Sequence, residues 1–163
     1  MNEEKIKQLV TETIYKASLY LDDCRWADWL NLCDEKFYYA IKAFSPEINY
    51  KMTYLDGYRS DLVTMTNMLP KHNTDHSPLS RHTVAYTVDV DNNQKTATAV
   101  SSVAVYQTQL DGINSHVRAG ESNVFIVGKY RDQFYLNKEE PLFLERIVLL
   151  DTRRLDKGSH WPI

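Results

Sequence analysis

The chain is poor in the residues that build covalent or metal-held scaffolds. Among 163 residues there are two cysteines, five glycines and five prolines. Cys24 and Cys33 lie nine positions apart in or near a helical stretch. Two thiols alone cannot complete a zinc or iron–sulfur site, and in a reducing compartment such a pair reads as packing residues rather than a disulfide. So few glycines and prolines leave no room for a long flexible linker. No run approaches the ~20 consecutive apolar residues that cross a bilayer. The charged start, Met1-Asn2-Glu3-Glu4-Lys5, leads into an amphipathic helix rather than a signal-peptide core. Together these lead to the expectation of a cytoplasmic protein with no membrane partner. The formal net charge is only -3 and the basic residues are scattered, which excludes a nucleic-acid-binding face. A Gly-rich phosphate loop, a nucleophile elbow, a dinucleotide fingerprint and an internal repeat are all missing.

What is present is an ordinary globular balance, 43% hydrophobic and 25% charged, with an excess of aromatics: 12%, eleven of them tyrosine. A tyrosine carries an apolar ring and a polar tip, which suits half-buried sheet faces and subunit contacts. The length predicts one domain over 1–163, with a helical region over about 3–69 and long strands over about 81–151. Ile6, Val10, Ile14, Ala17 and Leu21 recur at helical steps, with Glu3, Glu4, Lys7, Glu12 and Lys16 off that stripe. A break at Asp22-Asp23 precedes a second short amphipathic piece over 26–33. Strand composition follows at 37–41 and again at 48–54, then a helix over 58–69 that Pro70 stops. Beyond a polar loop over 71–80, Val84, Tyr86, Val88 and Val90 alternate with polar neighbours, the period of a half-buried strand. Segments 96–110, 115–127, 131–136 and 141–151 continue the β character, with a turn at Asp91-Asn92-Asn93 and a hairpin signal at Asp111-Gly112. Helices first and a four-strand antiparallel meander afterwards imply an α+β domain, with helices packed on one face of a strongly curved, mainly antiparallel sheet. Strands of this length must curl, with Gly112, Gly120 and Gly128 as candidate bends, and a curled sheet closed by helices makes a cone with a pocket inside.

Candidate chemistry is sparse. His72, Asp75, His76 and His82 form the richest cluster, and two histidines with a carboxylate suit a mononuclear iron site. Pro70 and Pro78 bracket that stretch as loop, however, so its spacing does not demand a shared metal, and a solvated or interface loop accounts for it equally well. Tyr20, Asp22, Asp23 and Asp28 sit where acid–base groups at a cone mouth would sit, although an Asp-Asp pair at a helix end is also an ordinary break or cap. Glu145 and Arg146 fall on opposite faces of the last strand, so one is inward or covered, which predicts a buried ion pair or a subunit contact.

Three stretches resemble one known family. They are Tyr20-Leu21-Asp22-Asp23-Cys24-Arg25-Trp26-Ala27-Asp28-Trp29-Leu30 with Phe37-Tyr38-Tyr39, Ser80-Arg81-His82-Thr83-Val84, and Leu142-Phe143-Leu144-Glu145-Arg146-Ile147-Val148-Leu149-Leu150-Asp151. The turn Val127-Gly128-Lys129-Tyr130-Arg131-Asp132 adds to them. In this order they are similar to the β (small) subunit of Rieske non-haem iron aromatic-ring-hydroxylating oxygenases, a family with the cystatin-like cone fold shared with ketosteroid isomerase and scytalone dehydratase. The resemblance implies a structural subunit that self-associates as a β trimer within an α3β3 hexamer. It places the Rieske 2Fe-2S cluster and the mononuclear Fe(II) in the α subunit, and it carries no catalytic, cofactor or metal residue onto this chain. The sequence departs from the family pattern at Tyr50, Tyr54 and Tyr58 and at Asn137-Lys138-Glu139-Glu140-Pro141.

Two other readings compete. One is a stand-alone cone-fold dehydratase or isomerase, with Asp23 or His82 as its base; the other is a non-catalytic ligand-binding module. Both need an open pocket, and a pocket filled by the protein's own side chains counts against both.

Overall fold

A computed structural model describes residues 2–72, 76–110, 118–138, 140–153 and 162–163, with the His72 side chain outside the description. Asp75, the Asp111-Gly112 hairpin, the start of segment 115–127 and Glu139 lie outside the described residues. The element order is α1 (Glu3–Asp22), α2 (Trp26–Asn31), β1 (Cys33–Ser45), β2 (Tyr50–Tyr58), α3 (Arg59–His72), β3 (Leu79–Asp91), β4 (Thr96–Thr108), β5 (Ser122–Leu136) and β6 (Pro141–Leu150).

The first helix forms as its pattern dictates. Asn2 caps it, its side chain accepting from the Lys5 amide at 2.8 Å, and Glu3 and Glu4 sit against the positive end of the helix dipole. Val10, Thr13, Ile14, Ala17, Ser18 and Leu21 are buried, so the apolar stripe faces the sheet. The stripe is pinned laterally where the Ser18 and Thr83 hydroxyls meet at 2.8 Å.

The six strands form one sheet in the order β2-β1-β6-β5-β4-β3. The expected meander is β3 to β6, each neighbour antiparallel. The last strand then pairs in parallel with β1, and β2 folds back on β1 as an edge. Parallel pairing needs a long crossover, and here the crossover is most of the chain.

Several local expectations are corrected. Cys33 begins β1 rather than ending the second helix, its thiol lying 3.5 Å from the Trp29 carbonyl. The next strand spans Tyr50–Tyr58, displaced from 48–54 because Asn49 takes a left-handed turn conformation (φ 49°). Pro70 does not stop α3, which runs on to His72. A proline near a helix end forfeits one backbone donor, and only one turn is left to lose it. Residues 122–127 and 131–136 prove to be one strand, Ser122–Leu136, running through Gly128, which pairs with Leu150. That glycine is no bend: an added Cβ would meet the Leu149 carbonyl oxygen at 2.3 Å. Finally, a register shift between Ala85 and Thr87 breaks the alternation of β3. Val84 and Tyr86 are exposed, whereas Val88 and Val90 pack against the core.

Candidate functional site

The concave face of the sheet, under the helices, is where a cone-fold protein would hold a ligand. Register determines what lines it. Tyr39 lies beside Arg146, Arg146 beside Asp132, and one rung along, Tyr130 beside Ser101. All five are buried. Trp29 packs edge-on to Phe37 and Tyr39 at 6.3 and 5.8 Å, and Phe134 and Phe143 close the floor with ring centroids 4.4 Å apart. Aromatic burial of this kind supplies most of the transfer free energy of the core.

At the centre is an ion pair. Arg146 Nε and Nη2 donate to the two Asp132 oxygens at 2.7 and 2.8 Å, with both side chains at most 1% exposed. The guanidinium lies 3.8 Å from the Tyr130 ring centre and 4.7 Å from that of Phe143. Burial pushes the Asp132 carboxyl up against the pull of Arg146. An arginine keeps its proton, so the pair is ionised. Both Asp132 oxygens are therefore engaged, which removes it as a base. Burial also holds the phenols of Tyr39 and Tyr130 above the ordinary tyrosine value, so neither supplies a phenolate near neutrality.

The mouth of the cone is closed by a second arginine. Arg81 Nη1 donates to Asp22 Oδ1 at 2.8 Å, the Arg81 amide reaches the same carboxylate, and Nη2 donates to the Pro162 carbonyl at 2.7 Å. Ile163 is 3% exposed and enters the core, its N–H donating to Tyr39 Oη at 2.7 Å. The interior is thus packed with the protein's own atoms. Arg81 Nε, Ser101 Oγ, Tyr130 Oη and Arg146 Nη1 remain buried without a hydrogen-bond partner among the described residues: two guanidinium donors and two hydroxyls that can donate or accept.

Of the residues singled out in the sequence, Arg146 is the inward member of the Glu145/Arg146 couple and forms a buried pair, with Asp132 as its partner. Asp22 caps Arg81. Asp23 is the C-cap of α1 and is exposed. Arg25 lies over the Tyr20 ring at 4.5 Å and binds Asp28 at 2.8 Å, a cluster outside the cone. His76 and His82 are exposed, and His82 meets Tyr106 edge-on at 4.9 Å on the outer face of the sheet. Neither Asp23 nor His82 reaches the interior, so the two bases a stand-alone enzyme would use are not at a site. No group of three or more His, Cys, Asp or Glu gathers at metal-binding distance among the described residues. Cys24 is exposed and Cys33 buried, with burial pushing the Cys33 thiol up, so the pair does not fit an iron–sulfur cluster. Asp132, Tyr39, Tyr130 and Ser101 were not foreseen as interior groups; the first three stood only within the stretches that carry the family resemblance, and Ser101 had no signal beyond polarity in an apolar strand.

The convex face carries the tyrosine excess. Phe44, Tyr58, Val84, Tyr86, Val124 and Tyr135 are exposed there or along its edges. Tyr38 and Tyr58 pack across the β1–β2 pair at 5.3 Å. Between these edges Lys42, Lys51, Arg131 and Glu145 line a depression with Tyr38, Ile147 and Leu149, so the face mixes apolar and charged groups as a subunit contact does.

A family model described as a SnoaL-like domain matches residues 2–140. The chain is 56% identical, over 94% of its length and 85% of the relative's, to the methanesulfonate monooxygenase hydroxylase subunit beta of Methylosulfonomonas methylovora. It is 28% identical, over 94% of its length and 97% of the relative's, to the 2-aminobenzenesulfonate 2,3-dioxygenase subunit beta of an Alcaligenes species. A solved structure described as the beta subunit of an aromatic-ring-hydroxylating dioxygenase of Novosphingobium aromaticivorans superposes with a TM-score of 0.76 at 22% identity, covering 96% of this chain and 95% of that one.

Proposed function

The chain belongs to the SnoaL-like domain family and is the β subunit of a multicomponent oxygenase, and from that premise we propose that it is a single non-catalytic domain that holds the oxygenase together. Its partner in this reading is an α subunit carrying the Rieske 2Fe-2S cluster and the mononuclear Fe(II), in an α3β3 hexamer with a β trimer at its base. The observation that carries the assembly role is the closed cone: Tyr39, Arg146 and Ile163 fill the space where a substrate would sit. The exposed aromatic and aliphatic residues of the convex face supply the contact surface in its place, since obligate assemblies bury upwards of ~2,000 Å². Among the described residues no helix is long and apolar enough to cross a membrane, which agrees with a cytoplasmic complex.

The substrate of that complex is a small sulfonate, oxidised by monooxygenation. The 56%-identical relative is named for methanesulfonate and the 28%-identical one for an aminobenzenesulfonate, so the sulfonate group is what the two share.

Native mass spectrometry with iron analysis tests the assembly. The chain expressed alone is expected to be free of iron. Co-expressed with its α subunit, it should enter an iron-bearing α3β3 species that oxidises methanesulfonate. A stable dimer of this chain that ignores the α subunit would overturn the reading.

A further inference from the structure

We propose that the concave chamber is a specific receptor for the Pro162–Ile163 segment of this same chain, reading its backbone through Arg81 and Tyr39 and its branched side chain through the aromatic floor. This goes beyond the subunit role, and it holds or fails independently of any partner.

Three observations converge. First, both backbone polar groups of Ile163 are read by one hydroxyl: the Ile163 N–H donates to Tyr39 Oη at 2.7 Å, and Tyr39 O–H donates to the Ile163 carbonyl at 3.2 Å. A phenol that accepts and donates to the same residue tells a peptide unit from a lone carbonyl. Second, the Pro162 carbonyl takes Arg81 Nη2 at 2.7 Å, and Arg81 is itself oriented by Asp22. A charge-assisted bond from a pre-oriented guanidinium is shorter and stronger than a neutral one. Third, Ile163 joins the same buried cluster as Trp29, Phe37, Tyr39 and Tyr130.

Tyr39 is on β1, Arg81 on β3 and Asp22 at the end of α1, so seating the segment ties three separate elements at the open end of the cone. The chain leaving β6 is tied once more on the way, where the Arg153 guanidinium binds Ser45 and Glu47 beside the β1–β2 turn and its carbonyl accepts from Tyr54 Oη.

Amide hydrogen exchange on the full chain tests the proposal. In the intact protein the Ile163 amide should exchange about 100-fold or more slowly than in unstructured peptide, which is ~2.8 kcal/mol at 1.4 kcal/mol per decade. In Tyr39→Phe, which keeps the ring but removes the hydroxyl, that protection should fall at least about tenfold. The amides of Val103 and Tyr130 in the central strands should stay unchanged. Arg81→Lys, which keeps the charge opposite Asp22 but loses the fork, should act the same way on Ile163. An Ile163 amide that exchanges within about threefold of the unstructured rate in the intact protein overturns the proposal whether or not either variant folds. So does a folded Tyr39→Phe chain with unaltered Ile163 protection.

Discussion

Replacing Asp132 with leucine strands the Arg146 charge in the core. The two side chains are at most 1% exposed and share two hydrogen bonds of 2.7 and 2.8 Å, so Asp132 provides the whole counter-charge. The rings of Tyr130 and Phe143 contribute only their π faces, and Arg146 Nη1 already lacks a partner among the described residues. Removing one member of a buried pair costs about 3–5 kcal/mol, because the surviving charge keeps its desolvation penalty and loses its compensation. For a chain of 163 residues, each kcal/mol moves the melting temperature by about 2–4 °C. Asp132→Leu should therefore lower Tm by about 6–20 °C. The double variant Asp132→Leu/Arg146→Met removes both charges and leaves apolar side chains of similar reach. It should recover to wild-type stability or exceed it by about 1–4 kcal/mol. Urea and thermal unfolding of wild type, both single variants and the double, at one protein concentration, give the coupling free energy directly. A loss under about 1 kcal/mol in Asp132→Leu, or a double variant as damaged as that single one, refutes the reasoning.

Gly128→Ala should destabilise by about 1–3 kcal/mol, since the new Cβ would sit 2.3 Å from the Leu149 carbonyl inside a paired ladder; unchanged urea midpoints would contradict this. Tyr58→Asp and Tyr86→Asp, on the exposed face, should leave the isolated chain within about 0.5 kcal/mol of wild type while lowering the hexamer fraction severalfold in size-exclusion chromatography. Retained hexamer in both would move the assembly surface elsewhere. A disulfide-exchange reagent at pH 8 should titrate one thiol, exposed Cys24, and reach Cys33 only after denaturation, because burial pushes the Cys33 thiol up; two fast thiols in the native chain would count against the packing described. The hydrogen bonds that Arg153 gives Glu47 depress that carboxyl from its ordinary 4.5 to about 2. A depressed carboxyl contributes stability above its unfolded value and loses it as pH falls through the folded one, so this tie should persist at pH 4 and release near pH 2. A Glu47 midpoint near 4.5 in a carbon-detected titration would show the tie to be absent in solution.

Much of this architecture was legible because it follows from local periodicity. The stripe Ile6, Val10, Ile14, Ala17, Leu21 set the buried face of α1, and β composition after residue 80 set a meander in which each strand pairs with the next. Kinship with oxygenase β subunits was legible too, from ordered motifs rather than from any one residue. The errors came where geometry overrides composition. Pro70 was tolerated because little helix lay beyond it, and a single bulge at Tyr86 turned Val84 and Tyr86 outward against the pattern of their neighbours.

The interior chemistry was a different matter. Sequence could say that Glu145 or Arg146 must be inward, since two adjacent strand residues face opposite ways. It could not say that Arg146 would find Asp132, fourteen residues earlier, because that partner is fixed by the register of β5 on β6. Nor could it place Ile163 against Tyr39, a contact across 124 residues that exists only once β1 has paired with β6. Composition and period act over one or two turns of chain. The contents of the cone depend on which strands become neighbours, and that is settled by the packing of the whole sheet.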